Sequence, residues 1–141
     1  MRAVRRKNAK GEVMALRDNL KVLVVDDMPT SRGLIVQALE EMQIWKNTTE
    51  NNGKSAFERL SREPVHLILS DMNMPVMDGL ELLRHVRGTR ATKSVGFILI
   101  TGKPTPELVA KGRSLGMNNM IKKPFTTAQL RTCIEQVVGP L

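Results

Sequence analysis

"KVLVVDDMPTSR", residues 21–32, is the stretch on which the fold turns. Val22 to Val25 form the continuous aliphatic run that a strand buried on both faces needs, and such strands occur in parallel sheets. The run stops at two adjacent aspartates, Asp26 and Asp27. These repel each other at neutral pH and sit near an interior only where a cation or a proton relieves them. Pro29 then suits the first turn of a helix. Strand, acidic turn and helix make one βα unit with charge concentrated at its carboxyl end.

The theme recurs along the chain. "PVHLILSD" (64–71) predicts an apolar strand ending in Asp71, "VGFILIT" (95–101) one ending in Thr101, and "NNMIKKP" (118–124) a short one broken by Pro124. A weaker strand is predicted over 45–50, closed by the "NNG" turn. Helical periodicity over 30–42 turns Leu34, Ile35, Ala38, Leu39 and Met42 to one face. Further helices are predicted over 54–61, over "DGLELLRHVRG" (78–88) with Leu80, Leu83 and Val86 inward, and over 106–115. The last, "TTAQLRTCIEQVV" (126–138), opens with the capping box Thr126-x-x-Gln129 and buries Leu130, Ile134 and Val137. Five strands alternating with five helices give an α/β fold. Right-handed crossovers then throw the helices to both faces of a parallel sheet.

Composition limits what such a fold can do. At 141 residues and 41% hydrophobic content, one domain with one core system is expected. One Trp, three Phe and no Tyr exclude the stacking platforms of single-strand nucleic-acid binders. The single cysteine allows no internal disulfide framework and suits a reducing compartment, and no apolar run has the length of a membrane span. A cytoplasmic protein is expected. The net charge is +8, but residues 1–13 hold five basic residues and one acid, so half the excess lies there. We read residues 1–19 as a basic, flexible N-terminal arm and 20–141 as the folded domain. A solvated end is the expected role of the arm, contact with phosphates or anionic lipid the alternative.

In a doubly wound sheet, functional side chains gather at the carboxyl ends of the strands. Asp26, Asp27, Asp71, Thr101 and Lys123 all fall there. Three carboxylates in one pocket call for a hard divalent cation, and Mg²⁺ fits an all-oxygen donor set. With the metal present, one carboxylate can act as a nucleophile toward phosphorus, giving an aspartyl phosphate. Asp71 is the candidate nucleophile. The metal, Lys123, the Thr101 hydroxyl and nearby amides would neutralise the phosphoryl oxygens. Asp27 is expected to bind the metal directly, and Asp26 to hold it through water or to help position it.

"VLVVDD", "LILSDMNMPVMDG", "ILIT" and "IKKPF", in this order and spacing, resemble the receiver domain of bacterial two-component response regulators, in particular the single-domain chemotaxis (CheY-like) type. The resemblance covers residues 20–138 and implies a flavodoxin-like (βα)5 fold with a five-stranded parallel sheet. It also implies a phosphoacceptor rather than an enzyme: Asp71 would take a phosphoryl group from a sensor histidine kinase. Mg²⁺ would be bound by Asp27, Asp71 and the backbone carbonyl of Asn73, and Lys123 would pair with the phosphoryl group ahead of a cis Pro124. Thr101 would move toward the phosphoryl oxygen, remodelling the face made by the fourth helix, fifth strand and fifth helix. The partner would be a flagellar motor switch protein in chemotaxis or a histidine phosphotransfer protein in a phosphorelay.

This sequence departs from that pattern at Met120, where such receivers usually carry Tyr or Phe as the switch residue. Gly102 and Lys103 further alter the loop after Thr101. Other residues have plainer expected roles: Lys122 as a solvated charge, His66 and His85 as surface or boundary residues, Trp45 as packing at a sheet edge, Cys133 as a small filler. Met72, Met74 and Met77 are candidates for core filling or partner contact. Two other functions fit parts of the sequence. One is a dehalogenase-like phosphatase, but Asn73 stands where such enzymes carry an acid. The other is a nucleotide- or nucleic-acid-binding module using the arm with Lys111, Arg113 and Arg131.

Overall fold

Three strands are buried and mostly apolar and two are not, and this orders the sheet. A computed structural model describes residues 15–141. Its elements are α1 (Leu16–Asn19), β1 (Val22–Val25), α2 (Pro29–Glu41), β2 (Asn47–Glu50), α3 (Gly53–Leu60), β3 (Leu67–Asp71), α4 (Gly79–Gly88), β4 (Gly96–Thr101), α5 (Pro106–Ser114), β5 (Asn119–Lys122) and α6 (Thr127–Val138). All strands are parallel, in the order β2-β1-β3-β4-β5. β1 and β3 are buried at every residue and β4 at all but its first, whereas the polar segments of β2 and β5 take the edges. The parallel α/β architecture expected from the sequence is thus the observed one. The short α1 is an addition, with no apolar periodicity to announce it.

Period-2 alternation splits the core into two layers. Val22, Val24, Leu67, Leu69, Ile98 and Ile100 meet α2 and α6 through Ile35, Leu39, Leu130 and Ile134. On the other side Leu23, Val25, Ile68, Phe97 and Leu99 meet Ala56, Leu60, Leu82, Leu83 and Val86, with Leu108 of α5 packed alongside. Each fully buried Leu or Ile side chain contributes about 1.5–3 kcal/mol of transfer free energy.

Three side chains depart from their expected places. Leu34 is 61% exposed, because the buried stripe of α2 runs through Ile35, Ala38 and Leu39, one position around the helix. In α4 the stripe is Gly79, Leu82, Leu83 and Val86, leaving Leu80 only partly buried. Trp45 does not pack at the sheet edge: it stands 66% exposed in the loop before β2. Cys133 is a buried filler whose thiol burial pushes up to about 11. Met74 is buried, and Met72 and Met77 are partly buried in the second layer, so all three fill core. Lys122 is exposed. His66 accepts the Lys21 amide at 3.0 Å, and His85 lies edge-on to Phe57.

One cation ties distant parts together without a carboxylate partner. Arg87, near the end of α4, donates to the carbonyls of Gly116, Lys93 and Val95 at 3.0, 2.9 and 2.6 Å, and to Asn118 Oδ1 at 2.8 Å. That same Asn118 oxygen accepts the Phe97 amide. Burial lowers the Arg87 pKa, and the carbonyl fork takes over the role of water around the charge.

Candidate functional site

The strand order reverses between β1 and β3, and the acids lie where a crevice opens at such a reversal. Asp26 directly follows β1 and extends its ladder, its amide bonded to Glu50 O at 3.1 Å; Asp71 ends β3. Register pairs Val25 with Ser70, so Asp26 and Asp71 are neighbours on the α2/α6 side of the pleat. Carboxylate oxygens of Asp26, Asp27 and Asp71 all lie within 4.8 Å of one another.

The two adjacent aspartates are not equivalent. Asp26 is fully buried and both its oxygens are engaged. Oδ1 accepts the Met28 amide at 2.9 Å; Oδ2 accepts the Ser31 hydroxyl at 2.5 Å and lies 3.5 Å from Lys123 Nζ. Asp27 Oδ1 is buried with no hydrogen-bond partner. A buried carboxylate oxygen left unpaired beside two other acids costs free energy that a bound cation would recover. The donor set, all oxygen and rich in charge, fits a hard divalent ion.

Lys123, directly after β5, closes the site. Its Nζ is 2.9 Å from Asp71 Oδ1 and donates to Ser31 Oγ at 2.9 Å. Burial raises the Asp71 pKa, and the charges of Asp26 and Asp27 raise it further, against the pull of Lys123. Burial opposes the charge on Lys123, yet pairing with Asp71 and Asp26 holds its pKa above the usual value. The Lys123–Pro124 peptide bond is cis.

Ser31 has no place in the sequence-derived site, yet it bridges two of its members. Its single proton goes to Asp26, so it can only accept from Lys123. No sequence signal singles it out, because hydroxyl residues in a helix's first turn commonly serve as caps.

The loop from Met72 to Asp78 is pinned at both ends. Gly79 N donates to Met72 O, and Asp78 caps α4 through the Glu81 amide. A Cβ on Gly79 would sit 2.5 Å from the Asp71 carbonyl and 2.6 Å from Leu99 Cδ1, so only glycine lets α4 start this close to β3. Between them Met77 N bonds Pro75 O across Val76, a β-branched residue at φ 70° and 85% exposed. Asn73 lies exposed in the same loop.

Thr101 and Met120 occupy the other side of the sheet. Leu99 pairs with Met120 and belongs to the α3/α4 layer; alternation puts Thr101 on that side too. The Thr101 hydroxyl accepts the Lys103 amide at 3.1 Å and makes no hydrogen bond to Asp71 among the described residues. The fold therefore brings together Asp26, Asp27, Asp71 and Lys123, and sets Thr101 and Met120 on the opposite side of the sheet, Thr101 across from Lys122 and Met120 across from Leu99.

Comparison with known proteins agrees with this geometry. The family described as response regulator receiver domain matches residues 22–135. A probable chemotaxis protein CheY of Rhizobium etli is 38% identical over 128 residues, covering 91% of this chain and 99% of its own. Chemotaxis protein CheY-3 of Vibrio cholerae is 29% identical over 122 residues, covering 86% and 94%. Among solved structures, chemotaxis protein CheY4 of Vibrio cholerae superposes with a TM-score of 0.79 at 29% identity, covering 84% of this chain and 98% of that one. The receiver domain of the Pseudomonas aeruginosa sensor histidine kinase PA1611, solved with magnesium in its active-site cleft, superposes at 0.78 with 26% identity, covering 86% and 98%. The expected resemblance holds across nearly the whole described chain, and the protein belongs to the response regulator receiver domain family, with CheY proteins among its relatives.

Proposed function

We propose that the chain is a phosphoryl-accepting switch in chemotaxis or a phosphorelay, with Asp71 as the acceptor. The carrying observation is Lys123 Nζ 2.9 Å from Asp71 Oδ1, beside three clustered carboxylates of which Asp27 leaves one buried oxygen unpaired. A carboxylate oxygen of Asp71 attacks the phosphorus of a phosphohistidine on a sensor histidine kinase. The phosphorus–nitrogen bond breaks, and its electron pair returns to the imidazole. Lys123 then trades its contact with the carboxylate for one with a phosphoryl oxygen.

Asp27, Asp71 and the Asn73 backbone carbonyl would hold Mg²⁺, with Asp26 acting through water because its own oxygens are engaged. When bound, the ion supplies positive charge against the phosphoryl group. Thr101 turns from the Lys103 amide to the phosphoryl group, and Met120, on the same side of the sheet, repacks. The thioether adapts without the hydroxyl of a tyrosine. The readout is the face of α5, β5 and α6, which binds a flagellar motor switch protein or a histidine phosphotransfer protein. The chain is a cytoplasmic phosphoacceptor rather than an enzyme, with residues 20–141 as the receiver domain and the basic N-terminal segment outside it. Asn73, which cannot serve as a general acid, argues against the dehalogenase-like alternative.

The test is incubation with Mg²⁺ and a small phosphodonor. Wild type incorporates label and Asp71→Asn does not; equal labelling of both would remove Asp71 from the role. Asp27→Asn should weaken Mg²⁺ binding by about tenfold or more, read by titration. Phosphorylation should move amide signals across Met117 to Ile134, and shifts confined to the acidic pocket would contradict this output face. Passage of phosphate to a histidine protein, as against capture of a motor component, separates the two partner classes.

A further inference from the structure

The pole opposite the acids carries a surface for which phosphoryl chemistry has no use. Trp45, the single tryptophan, stands 66% exposed there, an apolar area that folded chains normally bury. Lys46 adjoins it, and with Lys21 and Arg62, from the segments before β1 and β3, it lines a depression of about 420 Å³. All three cations are exposed and none forms an ion pair among the described residues. Glu63, the one acid on that rim, is held by Arg59 at 2.9 Å. The loop before β4 adds exposed Arg90 and Lys93.

The same pole carries α1. Arg17 of α1 donates to Gln43 Oε1 and to the Leu141 carbonyl, which fixes α1 close to the loop bearing Trp45. Leu16 is 41% exposed. Residues 1–14, outside the described residues, include five cations in sequence. Cations near helix ends often only complement the helix dipole, an effect confined to the last turn. Lys46 lies five residues beyond α2, and the dipole gives no reason for an exposed indole.

We propose that this pole is a contact surface for anionic lipid headgroups. An indole favours the headgroup depth of a bilayer, and lysine and arginine beside it meet lipid phosphates. A nucleic acid would call for serial aromatics or a helix laid lengthwise in a groove. Here the loops frame a basic depression with one exposed aromatic beside it. Contact at this pole points the carboxyl ends of the strands away from the lipid, so Asp71 stays open to a phosphodonor.

Because Trp45 is the sole tryptophan, it reports directly. The full chain is mixed with phosphatidylcholine vesicles, or with vesicles of equal parts phosphatidylcholine and phosphatidylglycerol. Trp45 emission should shift to the blue on the anionic vesicles alone, and the shift should fade with salt. The triple variant Lys21→Glu, Lys46→Glu, Arg62→Glu should bind at least about tenfold more weakly; the same positions changed to Gln report the same order should charge reversal unfold the chain. Labelling of Asp71 stays unchanged in these variants. Loss of labelling in wild type would bear on the phosphoacceptor reading and leave this surface untouched. No shift on anionic vesicles overturns the proposal. So does full binding by the triple variant with loss on Arg5→Glu and Arg6→Glu, which assigns the contact to the arm, or a shift with DNA and none with vesicles.

Discussion

Asp71 is held in a state it relieves by gaining a proton or a partner. Its raised pKa means that the folded chain binds more protons than the unfolded chain between the ordinary carboxylate value of 3.8 and the raised one. Ionised Asp71 therefore destabilises the metal-free protein above that window, and the penalty vanishes as pH falls through it. Asp71→Asn should be the more stable chain at neutral pH, with an advantage that grows as pH rises through the window and is flat beyond. Urea midpoints of both proteins from acid to neutral pH, without divalent ions, check this. Ser31→Ala should cost about 1.5–3 kcal/mol, since it strips a hydrogen bond from a buried, charged Asp26; the same unfolding assay reads it. Val76 holds a positive φ that a β-branched residue occupies only under strain, so Val76→Asn should raise stability by about 1 kcal/mol. Asp26, Asp27 and Asp71 were legible in the sequence because they close apolar runs, and Lys123 because it stands directly before Pro124 at the end of the fifth strand's segment. Ser31 was not, because a hydroxyl in a helix's first turn reads as an ordinary capping residue until its neighbours are known.

At the scale of elements, legibility followed burial. β1, β3 and β4 announce themselves through uninterrupted aliphatic residues, and α6 through its capping box, which forms as expected between Thr126 and Gln129. The edge strand β2, Asn-Thr-Thr-Glu, has no apolar pattern of its own and is held by its ladder to β1. Helix faces were less secure. Placing Leu34 inward was an error of one position, about 100° of rotation, which periodicity over a short amphipathic stretch does not resolve. The junction of β3 and α4 depends on Gly79. Gly79→Ala should destabilise by about 3 kcal/mol and displace the loop after Asp71, because the new methyl group meets a backbone carbonyl and a packed leucine that cannot retreat. Thermal unfolding together with Asp71 labelling separates general loss of stability from loss of loop geometry.

Across the whole molecule, parallel order and right-handed crossovers send every strand's carboxyl end to one pole, which explains how residues nearly a hundred positions apart, Asp26 and Lys123, come within 3.5 Å. Sequence alone could name that pole; it could not place Trp45, whose exposure depends on how α2 and β2 are joined. The Arg87 fork is another contact that no local pattern foretells. Most long-range ties made by a charged side chain slacken when mobile ions crowd the solvent. This one is fastened to peptide oxygens, which small cations compete for weakly in water. The end of α4 and the Gly116–Asn118 segment leading into β5 should thus stay clasped from dilute buffer to molar sodium chloride, giving the proposed output side of the sheet a fixed hinge point whatever the osmotic state of the cell.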